Sequence, residues 1–298
     1  MIYQQLGKSD LKISRIGFGC MSLKSDDVQS EKILHRAIDL GINYFDTADL
    51  YDKGANEEMI GRALKQQRSK IILATKAGNQ WRSDGSGWDW NPRREYILQC
   101  AERSLKRLQT DYIDLFQLHG GTMDDPLDET IEAFEQLLKE GKIRYYGISS
   151  IRPNVIRYWS EHSNIVSVMT QYSLLDRRPE EETLNLLKQR NIGVVIRGSV
   201  AQGRLIDKPA KPYLNYSEEE VNQAAKAIQS LSNDKRSAAQ TAVQFVLHHA
   251  AVTSAIVGIR AMEQLEEAVA TINVPSLSAV GISSLRNAVP ANSYKEHR

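Results

Sequence analysis

"SEKILHRAIDLGINYFDTADLY", residues 30–51, holds the pattern on which the fold is read. Ile33, Leu34, Ala37 and Ile38 recur at helical spacing, so residues 30–40 are expected to form a helix with one apolar face. Gly41 can supply the left-handed residue that stops it. Residues 44–46 then read as a short strand that ends on Asp46, and Tyr51 follows five residues later. A helix that hands over to a strand through one or two residues is making a tight αβ turn.

The same unit recurs along nearly the whole chain. Strands are expected near residues 17–20, 44–46, 71–75, 113–117, 145–148, 166–170, 193–197 and 255–257. Helices are expected over 30–40, 128–140, 180–190, 218–231, 238–248 and 262–270. A further one opens at "NPRREYILQCAERSLKRL", with Asn91 as cap and Pro92 at the first helical position. Strict alternation of strand and helix argues for a parallel sheet. Eight such units in about 280 residues favour a closed (β/α)8 TIM barrel over an open sheet. The opening "IYQQLGKSDLKISRIG" reads as a β-hairpin, residues 2–6 turning at 7–10 into 11–15, that closes the bottom of the barrel. No linker divides the chain, so residues 1–298 are read as a single domain. The longer βα connections, 77–91, 120–127 and 198–217, then fall on the C-terminal face, where barrel enzymes keep their sites.

Composition narrows the classes. The chain is 41% hydrophobic and 25% charged, with a net charge of +1. That describes an ordinary globular protein and gives no pointer to nucleic acid or to an anionic membrane. No apolar run reaches the roughly 18 residues of a membrane span. "MIYQQLGKSDLK" lacks the apolar core of a signal peptide, and Cys20 and Cys100 stand far apart in no metal-like spacing. A cytoplasmic protein without disulfides or metal is expected.

The C-terminal strand ends carry Asp46, Lys76, His119 and Ser149, with Tyr51 just after Asp46. Barrel geometry makes such residues converge. Each alone could simply solvate a loop or cap a helix, but four successive ends with this chemistry argue for a site. A nearby ammonium stabilises a phenolate, and Lys76 is expected to do this for Tyr51. Asp46 would hold Lys76 charged and in place. His119 would hydrogen-bond a substrate oxygen beside the Tyr51 hydroxyl, so that a carbonyl held between them is ready to accept hydride at carbon and a proton at oxygen.

Several stretches carry a family resemblance. "FDTADLYDKGANEEMIGRAL", "ILATKAG", "SLKRLQTDYIDLFQLH", "GKIRYYGIS", "QYSLLDR" and the run from "SAAQTAVQFVL" to "AIVGIRAMEQLEE" resemble, in order, signatures of the aldo-keto reductases. The resemblance runs from about residue 6 to residue 270. It implies a barrel that binds a nicotinamide cofactor without a Rossmann fold. It also implies a catalytic tetrad at Asp46, Tyr51, Lys76 and His119, with Tyr51 as general acid. The isolated Gly17-Phe18-Gly19 fits this, since no third glycine completes a dinucleotide fingerprint and a first strand explains it.

Barrels often hold phosphate in the loops after strands 7 and 8. Here these loops read "RGSVAQGRLIDK" and "VGIRAMEQLEE". Small residues such as Gly198, Ser199, Ala201 and Gly203 let backbone amides approach a pyrophosphate, and Arg260 and Gln264 open the last helix, where anions are favoured. By resemblance the cofactor is NADPH: Arg260 meets the 2′-phosphate, Gln264 and Glu267 reach the adenosine, and Arg204 and Gly258 belong to the same two loops. Ser149, Ser150, Gln171 and Arg197 would surround the nicotinamide. The chain departs from the family pattern in several places. Asp52 stands where glycine commonly follows the tyrosine, Ser150 where asparagine is common, and Met169 where the strand 6 glutamine usually lies. Arg197 replaces a stacking aromatic and Ala268 an asparagine.

The expected function is NADPH-dependent reduction of small aldehydes or ketones by a monomer or weak oligomer. The alternative is a cofactor-binding, redox-sensing regulatory subunit, and an unrelated barrel chemistry such as isomerisation is a third reading. Trp81, Trp88 and Trp90 are either a loop folded on itself or an aromatic wall of the substrate pocket. His248 and His249, adjacent on a helix, read as structural. The terminal "VPANSYKEHR" is either a loose tail or a flap over the site.

Overall fold

The computed structural model describes residues 1–25 and 27–298. Eight parallel strands close into a barrel: β1 (Ile16–Gly19), β2 (Tyr44–Asp46), β3 (Ile72–Ala77), β4 (Ile113–Leu118), β5 (Ile143–Ser149), β6 (Ser167–Gln171), β7 (Gly193–Arg197) and β8 (Val252–Gly258). Helices α1 (Val28–Asp39), α2 (Ala55–Leu64), α3 (Arg94–Leu108), α4 (Leu127–Lys139), α5 (Pro153–His162), α6 (Thr183–Gln189), α7 (Glu218–Ser230), α8 (Ala238–Leu247), α9 (Met262–Ala270) and α10 (Ala279–Ala288) surround it. The (β/α)8 reading of the sequence is therefore correct.

Two apolar layers follow from the alternation of side chains along a strand. Phe45, Leu73, Phe116 and Ile148 face outward into the large core shared with the helices. Tyr44, Ile72, Ala74, Leu115, Met169, Val195 and Ile256 fill the barrel interior together with Leu6, Leu11 and Ile13. The last three belong to the opening hairpin, where strand Tyr3–Gln5 pairs antiparallel with Lys12–Ser14. The hairpin thus plugs the bottom, as expected. Gly17 is required by close approach, since a Cβ there would lie 2.4 Å from the Ile256 side chain and 2.8 Å from the Tyr44 ring.

Several boundaries differ from the sequence reading. Asn91 does not cap α3: its Oδ1 accepts from the Arg93 N–H in a local turn, and the helix starts at Arg94, whose N–H is capped by Glu129 of α4. The helix expected over 180–190 is broken into a 3-10 turn, Arg178–Glu180, and α6. There Glu180 bonds Arg177 and Tyr172, and Glu181 accepts from the Tyr294 N–H, so both carboxylates serve tertiary contacts. Helices α2, α5 and α10 lie where no helix was expected. The terminal stretch is no loose tail: Asn292 and Tyr294 are buried, and Asn292 accepts from the Arg177 N–H beside the loop after β6. The 77–91 connection holds a small hairpin, Asn79–Trp81 paired with Trp88–Trp90.

Candidate active site

The upper layer of the barrel interior is polar because on five of the strands the next inward residue, two positions beyond the apolar plug, is polar. Asp46 follows Tyr44, Lys76 follows Ala74, Gln117 follows Leu115, Gln171 follows Met169 and Arg197 follows Val195. The register sets them side by side: Lys76 pairs with Gln117 and Gln171 with Arg197 across neighbouring strands. Lys76 is thus inside β3 rather than beyond its end, two residues later than the sequence reading placed the strand's finish.

Lys76 and Asp46 form a buried ion pair, Nζ to Oδ1 at 2.6 Å, both almost fully shielded from solvent. A second Lys76 bond goes to the carbonyl of Thr47 at 2.8 Å, and Gln117 reaches the other Asp46 oxygen at 3.5 Å. Burial alone would lower the Lys76 pKa, but the Asp46 carboxylate, followed by Tyr51, reverses this and holds it above the ordinary lysine value. The ammonium is therefore kept charged. It lies 5.3 Å from the centroid of the Tyr51 ring. His119 stands edge-on to the same ring, centroids 5.9 Å apart at 84°. Burial, then the charges of Lys76 and Arg197, push His119 down to about 3, so its imidazole is neutral at pH 7. Its Nδ1 is buried without a partner among the described residues. All four residues expected to form the tetrad are brought together.

The loop that carries Tyr51 is fixed from both sides. The Thr47 and Asp49 N–H groups continue the β2–β3 ladder onto Ala74 and Lys76 at 2.9 and 3.2 Å. Thr47 Oγ1 donates to Asn56 Oδ1 at 2.6 Å, and the Asn56 amide donates to the Cys20 carbonyl. Beyond Tyr51 the backbone is left-handed at three residues in a row, Asp52 (φ 50°), Lys53 (φ 52°) and Gly54 (φ 94°). Asp52 thus adopts the conformation that a glycine would favour, with its carboxylate held by Ser25 Oγ at 2.7 Å.

The expected cofactor residues fall into two groups. Ser149 ends β5 and Ser150 follows it, both buried, near Gln171 and Arg197 at the mouth. Arg197 Nη1 donates to Gln171 Oε1 at 2.9 Å, while the Gln171 amide donates to Asp176 at 2.8 Å and to the Tyr213 hydroxyl at 3.2 Å. Gln171 is therefore tied to the protein through both ends of its carboxamide. Gly203, Gly258, Arg260, Gln264 and Glu267 line a second cavity of about 490 Å³, with Ser22 and Lys208. Gln264 there accepts from the Arg260 N–H, and Glu267 accepts from Ser237 Oγ. Ser199 and Ala201 are buried in the loop beneath. Gly198 leads into that loop, and Arg204 turns its guanidinium over the Tyr213 ring.

Two residues near the tetrad escape a reading of strand ends. Gln117 is inward by alternation with Leu115 and closes the strand expected over 113–117, but His119, two residues on, was taken as the group at that strand's mouth. Asp49 is an ordinary loop residue in the sequence, and only packing against α3 buries it. The tryptophans follow the first of the two readings made of them, a loop folded on itself. The hairpin does fold on itself, Trp81 Nε1 bonds the Leu50 carbonyl, Trp90 Nε1 bonds Asp125, and Trp88 stays 47% exposed.

Comparison with known proteins agrees with this geometry. "Uncharacterized oxidoreductase YqkF" of Bacillus subtilis is 50% identical over 304 residues, covering 99% of both chains. "L-galactose dehydrogenase" of Arabidopsis thaliana is 31% identical over 291 residues, covering 90% of this chain and 86% of the relative. Among solved structures, the holo form of aldo-keto reductase AKR11C1 from Bacillus halodurans superposes with a TM-score of 0.93 at 47% identity, covering 100% of this chain and 99% of that one. Its apo form gives 0.86 at 45% identity, with the same coverage. The sequence profile of the aldo/keto reductase family spans residues 15–289, from the start of the barrel to the end of α10, and with the barrel and its polar mouth it makes this chain a member of that family of oxidoreductases.

Proposed function

We propose that the protein reduces small aldehydes or ketones with NADPH and that Tyr51 is the general acid. The observation that carries this reading is the buried Lys76–Asp46 pair beneath Tyr51, with a neutral His119 edge-on to the same ring. When bound, the nicotinamide supplies the hydride that the carbonyl carbon accepts. Tyr51 gives its hydroxyl proton to the carbonyl oxygen. Lys76 compensates the tyrosinate that is left, and Asp46 keeps Lys76 charged and fixed. His119, neutral, donates a ring N–H to the substrate oxygen and orients it without adding charge.

The fit of the cofactor rests on the second cavity. Arg260 and Lys208 have no carboxylate within ion-pair distance among the described residues, so both are free for phosphate. Gly203 and Gly258 leave backbone accessible in the same wall. Arg260, with Gln264, Glu267, Gly203 and Gly258, would hold the adenosine 2′-phosphate end; Ser149, Ser150, Gln171 and Arg197 would hold the nicotinamide end. The closer superposition on the neighbour's holo form than on its apo form supports a backbone set for a bound cofactor. Cys20 and Cys100 are unpaired and buried, which suits a cytoplasmic enzyme.

The test is consumption of NADPH and NADH with a panel of aldehydes and ketones. Tyr51→Phe is expected to lower kcat by about 10³-fold while leaving NADPH affinity within about twofold, the signature of a lost proton donor. Arg260→Ala is expected to weaken NADPH by about tenfold and NADH little, one charge-assisted contact being worth roughly 1.5 kcal/mol or more. Full activity in Tyr51→Phe overturns the assignment of the acid.

A further inference from the structure

Asp49 lies between Asp46 and Tyr51 but has no part in the step above. Its N–H bonds the carbonyl of Lys76, while its side chain turns away from the barrel mouth into the packing between the loop and α3. Oδ2 accepts from Cys100 Sγ at 2.8 Å and from the Tyr96 hydroxyl at 3.3 Å. The single Tyr96 hydroxyl proton is shared between this oxygen and the Asn79 carbonyl at 3.1 Å, so the 79–90 hairpin joins the same cluster. Oδ1 is buried and has no partner among the described residues.

The charged groups around it do little to support a carboxylate. From α2 comes Glu57, fully buried, its own oxygens held by Thr75, Ser104 and Arg107. From α3 comes Arg107, committed to Glu57 at 2.6 Å, and Arg103, stacked over the Tyr96 ring at 5.9 Å. The β3 side presents the Lys76 carbonyl. An ionised Asp49 would therefore be a buried charge beside a second carboxylate, a cost larger than the Cys100 and Tyr96 bonds return to it; the neutral acid avoids that cost.

We propose that Asp49 is a positioning residue for Tyr51: as the neutral acid it clamps the 46–54 loop against α3, and its ionisation loosens that clamp. Burial in the first place pushes its carboxyl up to about 7, with the Cys100 thiol pulling down, Glu57 pushing up and Arg107 and Tyr96 pulling down. The clamp therefore responds in the neutral range. Its effect on rate rests on Tyr51 being the proton donor; the clamp itself does not.

Trp81 provides a reporter, because its indole bonds the Leu50 carbonyl between Asp49 and Tyr51. Tryptophan emission of the whole protein is titrated from about pH 5.5 to 8.5, and kcat is measured over the same range with saturating NADPH and one aldehyde. Wild type is expected to show an emission transition near pH 7 that is absent from Asp49→Asn and from Trp81→Phe. Cys100→Ala is expected to move the midpoint upward, since the thiol bond favours the ionised form. Wild-type kcat is expected to fall about fivefold across the range, and that of Asp49→Asn less than about twofold, in keeping with the rate sensitivity to small misplacements. Asp49→Ala, which lacks the polar isostere, is expected to be slower throughout, with KM for NADPH moving less than about twofold. A flat wild-type titration, or the same titration in Asp49→Asn, overturns the clamp. An emission change as expected, with kcat falling equally in both proteins, overturns its link to Tyr51. If Tyr51→Phe keeps its activity, the proton-donor reading falls while the Trp81 titration still decides the clamp.

Discussion

His119 is kept neutral by its surroundings rather than by a partner. Burial and two nearby cations hold it near 3, against about 6.5 in an unfolded chain. The sign of the consequence is fixed by proton uptake. Below about pH 6.5 the unfolded chain binds a proton that the native imidazole refuses, so this stabilisation is complete above 6.5 and is lost as pH falls from there toward 3. His119→Asn, which cannot titrate, is expected to reduce the loss of stability between pH 7.5 and 4.5 by about 2 kcal/mol, read from urea midpoints at the two pH values. Burial acts on both members of the Lys76–Asp46 pair as well: it raises the Asp46 carboxyl, opposed by the Lys76 charge, and works to lower Lys76, where Asp46 and then Tyr51 outweigh it.

The segment Tyr51–Gly54 joins the candidate acid to α2 and holds its conformation against local preference. Three consecutive left-handed residues are sustained by Ser25 on Asp52, by Lys53 lying 5.1 Å over the Trp81 ring, and by Arg107 against Gly54. At Gly54, φ is 94°, and an added Cβ would lie 2.9 Å from Arg107 Cδ. Arg107 cannot retreat without disturbing its bond to the buried Glu57. Gly54→Ala is expected to destabilise the protein by about 1–3 kcal/mol, the range for a residue forced into such backbone, in chemical denaturation. Since Tyr51 is three residues away, kcat is expected to fall together with stability, in contrast to changes at the far end of the barrel.

That contrast is built into the architecture. The opening hairpin drives Leu6, Leu11 and Ile13 into the bottom, while the polar layer occupies the top. The apolar plug at one end thus stands apart from the candidate site at the other. Leu6→Ala, at a fully buried position, is expected to cost about 2–5 kcal/mol in denaturation, as large-to-small core changes do. Its kcat/KM at a temperature where it stays folded is expected to remain within about twofold, because nothing at the mouth moves.

The barrel was legible because its evidence is local and repeated: apolar spacing, glycine stops and strand-helix order recur whatever the rest of the molecule does. That Asp46, Tyr51, Lys76 and His119 meet was legible because barrel geometry turns strand ends into neighbours. Three helices were not. In α2 the apolar stripe is interrupted by buried Asn56 and Glu57, α5 opens on Pro153, and α10 mixes glycine and serine into a weak pattern. The sequence by itself determined the period, the number of strand-helix units and the kind of groups at the mouth. Tertiary structure alone decided that Lys76 lies inside its strand, that Gln171 is tied to Asp176 and Arg197, and that Asp49 is buried against Cys100, 51 residues away. The reason is physical: a period is carried by near neighbours in the chain, whereas burial, and with it the protonation of a carboxyl, is set by groups brought together only by closure of the barrel.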